Sequence, residues 1–269
     1  MDVYRKKAQN LKARMREYAS EDMVIAFSGG VDSSLILKLA CDEAKVTGHM
    51  VYGILLHTML HPSGDIEEAK RIAEETGARF LVIEVDELAG SGIEDNPRDR
   101  CYRCKKYLFR RLREKAEELG VRNIFEGTNE DDLHVYRPGV RAVRELGIIS
   151  PLADVGFTKD DVRRLAEEEG LSVAGKPSAP CLATRFPYGS RLTYEEMKKV
   201  EAGEAYLKGL GFHNVRIRIH TETARIETDQ EEFGRVLDNR EGIISYLKSL
   251  GYKYIALDIE GFRSGSMDE

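Results

Sequence analysis

The hydrophobic pattern changes period along the chain, and each change marks an element. Residues 3–19 carry apolar positions at helical spacing. A continuous apolar run follows, Met23-Val24-Ile25-Ala26-Phe27, which reads as a buried strand and stops at Ser28-Gly29-Gly30. Helical spacing returns from Ser33 to Ala44, then come a strand (Met50 to Leu56), a helix (Ile66 to Thr76) and a strand (Phe80 to Val85). A helix from Tyr102 to Leu119 leads to a fourth strand, Asn123 to Glu126, and residues 158–169 form a further helix whose start carries a capping-box pattern at Thr158-Lys159-Asp160-Asp161. Strands alternating with helices of this length predict right-handed crossovers and an α/β fold with a parallel sheet.

Periodicity is lost from Pro177 to Thr193, a stretch rich in Pro, Ser and Gly that reads as a linker or active-site loop. Beyond it the pattern predicts a helix (Tyr194 to Leu210), strands at Val215–Ile219 and Ala224–Glu227, a helix (Glu231 to Leu250) and a strand (Tyr252 to Asp258). That is a small α+β unit. The expected domains are 1–188 for the parallel-sheet part and 189–269 for the smaller part.

Composition narrows the function classes. No apolar run approaches the roughly 20 residues that a membrane span needs, and the first residues run straight into a charged amphipathic helix, so a cytoplasmic chain without a signal peptide is expected. A formal net charge of −6 argues against a non-specific grip on nucleic acid. Four cysteines in 269 residues are too few for a disulfide framework and read as ligands, catalysts or core thiols.

The most informative stretch is Ser28-Gly29-Gly30-Val31-Asp32-Ser33-Ser34, between a buried strand and a helix. Glycines allow the backbone to approach a ligand closely, while the free N–H groups of the helix start attract an anion. Ser28, Ser33 and Ser34 add hydroxyl donors. The loop lacks the Gly-Lys-Ser/Thr of a Walker A motif. An acid such as Asp32 beside phosphate must orient the loop or hold Mg²⁺; otherwise it is an ordinary helix cap. After the fourth strand comes Glu126-Gly127-Thr128-Asn129-Glu130-Asp131-Asp132. Gly127 and Thr128 are expected near the nucleotide, with Asp131 and Asp132 as candidate Mg²⁺ ligands or a solvated acidic turn.

Three cysteines and four arginines complete the candidates. Cys101-Tyr102-Arg103-Cys104 is a lone C-x-x-C that fits half a zinc site, a redox pair or half a cluster site. Cys181 stands beside Arg185 in a proline-flanked loop, and Cys41 lies in an apolar helix as a core thiol. Strand alternation puts Arg216 and Arg218 on one face with Arg225 nearby, either as a phosphate or carboxylate clamp or as a solvated face.

At the Ser28–Ser34 loop the sequence resembles the PP-loop ATP pyrophosphatases. The resemblance extends in order through Gly127-Thr128-Asn129 with Asp131-Asp132, Arg137-Pro138-Gly139, Ser150-Pro151-Leu152, Lys176-Pro177, Cys181-Leu182-Ala183 with Arg185, and Ala224-Arg225-Ile226-Glu227. Together these strings look like the LarE family, sulfur transferases that make the thiocarboxylate form of a pyridinium dicarboxylate mononucleotide for the nickel-pincer nucleotide. The resemblance implies ATP and Mg²⁺ as cofactors, AMP and pyrophosphate as products, Asp32 and Cys181 in catalysis, and Arg185, Arg216, Arg218 and Arg225 at the substrate. It also implies homo-oligomers. Cys101, Cys104 and Cys181 match the subclass that holds a 4Fe-4S cluster whose open iron carries sulfide. A tRNA thiolase using the same loop is the alternative, opposed by the acidic balance and by the lack of zinc-ribbon cysteines.

Overall fold

A computed structural model of the chain describes residues 2–60, 65–135, 137–176 and 180–263. The chain divides into two compact units. The larger comprises Met1–Thr58, Ser63–Gly92 and Asp99–Ala179; the smaller comprises Met59–Pro62, Ile93–Arg98 and Pro180–Glu269.

The larger unit runs α1 (Val3–Tyr18), β1 (Met23–Ala26), α2 (Val31–Thr47), β2 (Val51–His57), α3 (Asp65–Thr76), β3 (Arg79–Glu84), α4 (Glu87–Ser91), α5 (Arg100–Glu118), β4 (Asn123–Phe125), α6 (Pro138–Glu145), α7 (Pro151–Asp154) and α8 (Lys159–Glu168). Its four strands are parallel in the order β3-β2-β1-β4, with Ile25 opposite both Gly53 and Phe125. Residues of α1, α2, α3 and α8 form the core on one face of this sheet, among them Leu11, Leu35, Ile36, Ile72 and Leu165. Phe109, Leu112 and Ala116 of α5 and Val143 of α6 pack with Val24, Ile54 and Ile124 on the other. The capping box at Thr158 forms as the sequence predicts, the Thr158 hydroxyl accepting from the Asp161 N–H and the Asp161 carboxylate accepting from the Thr158 N–H.

This strand order places the site. The chain leaves β1 for β2 and β3 on one side, then returns to put β4 on the other, so the order reverses between β1 and β4. Loops at the carboxyl ends of such a pair diverge and leave a crevice, where open α/β sheets take their ligands.

The smaller unit contains α9 (Tyr194–Gly209), β5 (Val215–His220), β6 (Thr223–Thr228), α10 (Phe233–Asp238), α11 (Arg240–Ser249) and β7 (Tyr254–Leu257). β5 and β6 are an antiparallel hairpin, and β7 adds parallel to β6. Gly203 of α9 fits against Ile217 and Leu247, where a Cβ would lie 2.6 Å from Ile217 Cδ1. The single helix predicted from Glu231 to Leu250 is in fact broken. Asn239 caps both α10 and α11, and its side-chain amide donates to the Arg235 carbonyl at 2.8 Å, competing with the helical ladder. The predicted loop from Pro177 to Thr193 contains a short 3-10 turn at Leu182–Arg185, and its residues 177–179 lie outside the described residues.

Candidate active site

The loop after β1 is built around its two glycines. Gly29 takes φ +69°, a conformation that side-chain-bearing residues rarely adopt, and a Cβ there would stand 3.3 Å from Ala69 Cβ. Gly30 is the N-cap of α2 and offers no side-chain oxygen, so no cap side chain occupies the first N–H groups of the helix. Ser28 and Ser33 tie the loop together: the Ser28 N–H donates to Ser33 Oγ at 3.2 Å, and Ser33 Oγ donates to the Gly30 carbonyl at 3.1 Å. Ser34 Oγ is buried without a hydrogen-bond partner. A fixed loop with unfilled donors at a helix start is an anion cradle.

The loop after β4 closes on this cradle. Gly127 passes so near that a Cβ there would lie 3.0 Å from Asp32 Cβ and 3.1 Å from the Ser33 nitrogen. A side chain there would have to push these neighbours aside, and glycine needs no such shift. Asp32 is not a helix cap: its Oδ1 accepts from the Asn129 amide at 3.1 Å and its Oδ2 from Lys159 Nζ at 2.5 Å. The Thr128 hydroxyl donates to Glu126 Oε2 at 2.9 Å. Glu126 is buried and also receives Lys105 Nζ at 3.1 Å and the Ser150 hydroxyl. Burial pushes the Glu126 carboxyl up, but Lys105, Ser150 and Thr128 outweigh burial and hold it below the usual glutamate range.

The two candidate Mg²⁺ ligands both have protein partners. Asp131 accepts the Lys159 N–H at 2.7 Å, and Asp132 pairs with Arg137 at 2.9 Å. Burial, with Asp32 nearby, raises the Asp132 carboxyl above its ordinary value. Among the described residues no group of three or more His, Cys, Asp or Glu side chains is arranged to hold a metal ion.

Cys101 and Cys104 stand one turn apart at the start of α5, Cys101 exposed and Cys104 half-buried. Cys181, half-buried, belongs to the smaller unit. Cys41 is the core thiol predicted, and burial pushes it up to about 11.

In the smaller unit the arginines are organised by two buried carboxylates, Glu204, which sequence reasoning missed, and Glu227, named there in a family string without a role. Arg185 is buried and bidentate on Glu204, with N–H···O distances of 2.8 and 2.9 Å. Its remaining NH1 donates to the Pro180 and Cys181 carbonyls and to Thr184 Oγ1, so it holds the Cys181 turn in shape. Arg218 donates to Glu227 at 2.9 Å and to the Thr184 carbonyl at 2.8 Å. Arg225 reaches Glu227 and Asp258 at 3.1 and 3.3 Å, leaving its buried Nε without a partner. Arg216 differs: it lies half-buried over the Phe262 ring, donates to the Val215 carbonyl, and has no acid within ion-pair distance among the described residues. Burial, then Arg185 and Arg218, lower its affinity for its proton. Glu204 was detectable in principle, as an acid on the buried stripe of α9 with Met197, Val200 and Leu207.

A four-stranded parallel sheet with a Gly-Gly anion cradle and no Walker lysine defines the PP-loop class of α/β proteins. Residues 3–107 match the NAD synthase family. The chain is 38% identical, over 92% of its length and 89% of the relative's, to pyridinium-3,5-bisthiocarboxylic acid mononucleotide synthase of Lactiplantibacillus plantarum. It is 37% identical to an uncharacterized Synechocystis protein, over 97% of both chains. The tRNA-specific 2-thiouridylase MnmA of Rickettsia felis is 30% identical over 58% of this chain and 52% of its own. The chain belongs to the LarE family of PP-loop sulfur transferases, that of the Lactiplantibacillus plantarum synthase.

Proposed function

We propose that the chain is an ATP-dependent sulfur transferase acting on a pyridinium dicarboxylate mononucleotide. The carrying observation is the likeness to the Lactiplantibacillus plantarum synthase along nearly the whole of both chains, cysteine loop and small unit included. The likeness to the tRNA enzyme covers about half of it by comparison.

The chemistry follows from the poor electrophilicity of a carboxylate. Its oxygen attacks the α-phosphorus of ATP, the bond to the β-phosphate oxygen breaks, and pyrophosphate leaves. The cradle of Gly29, Gly30, Ser33 and Ser34 stabilises that leaving charge with fixed donors. A sulfur nucleophile then attacks the acyl carbon, and AMP departs carrying the original carboxylate oxygen. Asp32, on the cradle's rim, is the residue to hold Mg²⁺, which when bound neutralises phosphate charge. We assign Arg216 to the substrate's phosphate or carboxylate, with Arg185, Arg218 and Arg225 as the positioning residues around it.

What supports a cluster is the chemistry of the donors: Cys101, Cys104 and Cys181 carry thiols that water reaches, and the first two are spaced one helical turn apart. We propose all three as ligands. A three-thiolate 4Fe-4S cluster leaves one iron open to carry sulfide.

The test is pyrophosphate release from ATP under anaerobic conditions, with the pyridinium dicarboxylate mononucleotide and bulk tRNA offered separately. The pyridinium nucleotide should drive release of pyrophosphate and AMP. Release driven by tRNA alone, or ADP and phosphate as products, would overturn the proposal.

A further inference from the structure

The turn from Cys101 to Cys104 opens α5 under charges that do not favour a helix start. Its first turn holds no acid, and Arg100 and Arg103 stand at the end where the helix dipole is already positive. The N-cap, Asp99, makes no side-chain bond to the first N–H groups; its carboxylate accepts from Arg103 Nε at 2.8 Å instead. Paired thiolates suit such a turn. Without them it has to be held from outside.

Helix α6 holds it. Pro138 sets the start of α6, and Gly139 packs on the turn itself, where a Cβ would lie 2.9 Å from Lys105 Cδ and 3.6 Å from the Cys101 carbonyl oxygen. Further along α6, Arg141 and Glu145 grip Tyr102, the residue that follows Cys101. The Tyr102 hydroxyl donates to Glu145 Oε2 at 2.7 Å and accepts from Lys106 Nζ at 2.7 Å. Lys106 also donates to Glu145, and Arg141 Nε donates to Glu145 Oε1 at 2.8 Å. The Arg141 guanidinium covers the Tyr102 ring, 4.7 Å from its centre. On the helix Tyr102 lies about 100° round from Cys101 and about 160° from Cys104. The grip therefore fixes the rotation of the turn and leaves the thiol-bearing face clear.

We propose that Tyr102 is a positioning residue for the iron–sulfur ligands: latched to Glu145, it keeps the turn helical and its two thiols in place before iron arrives. The proposal rests on the cluster ligation assigned above. Tyr102 makes and breaks no covalent bond. Its part is preorganisation, which spares cluster loading the entropy of ordering the turn.

The test uses the full chain, reconstituted with iron and sulfide in the absence of oxygen. Tyr102→Phe keeps the ring beneath Arg141 and loses the hydroxyl, while Glu145→Ala removes the acceptor on the other helix. Tyr4→Phe is the matched control: the Tyr4 hydroxyl of α1 donates to Glu168 of α8 at 2.7 Å, its ring lies under Arg164, and no cysteine is among these partners. Iron content, the rate at which a chelator strips the iron, and the melting temperature of the iron-free chain are measured for each. Tyr102→Phe and Glu145→Ala should lose iron about three- to tenfold faster than the unaltered chain, the scale of one net hydrogen bond. Tyr4→Phe should lower the melting temperature at least as much as Tyr102→Phe and leave the stripping rate unchanged.

An unchanged stripping rate in either Tyr102→Phe or Glu145→Ala overturns the proposal and leaves the cluster standing. So does a Tyr4→Phe chain that sheds iron as fast as Tyr102→Phe, since the effect is then a general loss of stability. If the unaltered chain loads no iron, the cluster is refuted, and the role of Tyr102 falls with it.

Discussion

Arg185→Met separates a structural from a purely substrate-facing role for the arginine beside Cys181. The Arg185 and Glu204 side chains are 3% and 5% exposed and share two short hydrogen bonds. Without the guanidinium, Glu204 keeps one backbone donor, the Ile217 N–H at 3.1 Å. Leaving one charge of a buried pair uncompensated costs about 3–5 kcal/mol, against about 1 kcal/mol or less for an exposed pair. The reciprocal Glu204→Leu should cost about the same. Arg185→Met/Glu204→Leu removes both charges and should recover most of the loss. Recovery should fall short by about 1 kcal/mol, since the Pro180 and Cys181 carbonyls lose their donor. The assay is urea unfolding of the full chain followed by near-ultraviolet circular dichroism, to which the stacked Tyr206–Tyr246 pair of the smaller unit contributes. Single-variant costs below about 1 kcal/mol, or a double variant as unstable as the two singles summed, would refute the reasoning.

Gly127→Ala forces a Cβ to 3.1 Å from the Ser33 nitrogen; overpacking of about 1–3 kcal/mol should appear as weaker ATP binding in calorimetry, and unchanged affinity would contradict the close approach. Arg216→Ala should raise the KM for the pyridinium nucleotide with little change in melting temperature, whereas Arg218→Ala should destabilise the protein by removing an ion partner of the fully buried Glu227; equal melting losses would remove the distinction. The Glu126 carboxyl is depressed on folding, so its contribution is complete above its unfolded value and is lost as pH falls through its folded value. Acid unfolding should therefore be steeper in the wild type than in Glu126→Gln, and parallel profiles would contradict this. Anaerobic reconstitution should load about four irons per chain, each of Cys101→Ser, Cys104→Ser and Cys181→Ser should lower the iron content, and Cys41→Ser should not.

The parallel-sheet part was legible because its signals are local. Short apolar runs end in glycine, and helices between them carry a clean 3.6-residue spacing, so strands and crossovers could be read without knowing partners. The two loops at the carboxyl edge were legible for the same reason. Glu204 and the role of Glu227 were not, because a carboxylate on a helix or strand looks solvated until its arginine is placed against it. Lys159 escaped notice as an ordinary helix start, 127 positions from Asp32 in sequence. The break at Asn239 was missed because apolar spacing continues through it; the competing side-chain amide bond to Arg235 has no period to detect. Helices α4, α6 and α7 are too short for spacing to declare them.

The central claim is that a substrate carboxylate is adenylated and then loses that oxygen to sulfur. Supplying the pyridinium nucleotide with heavy oxygen in its carboxylates, and analysing all products by mass spectrometry, tests it directly. The account predicts a thiocarboxylate product, one heavy oxygen in AMP and none in pyrophosphate. Unlabelled AMP beside a sulfur-bearing product, or heavy oxygen in inorganic phosphate, would contradict it.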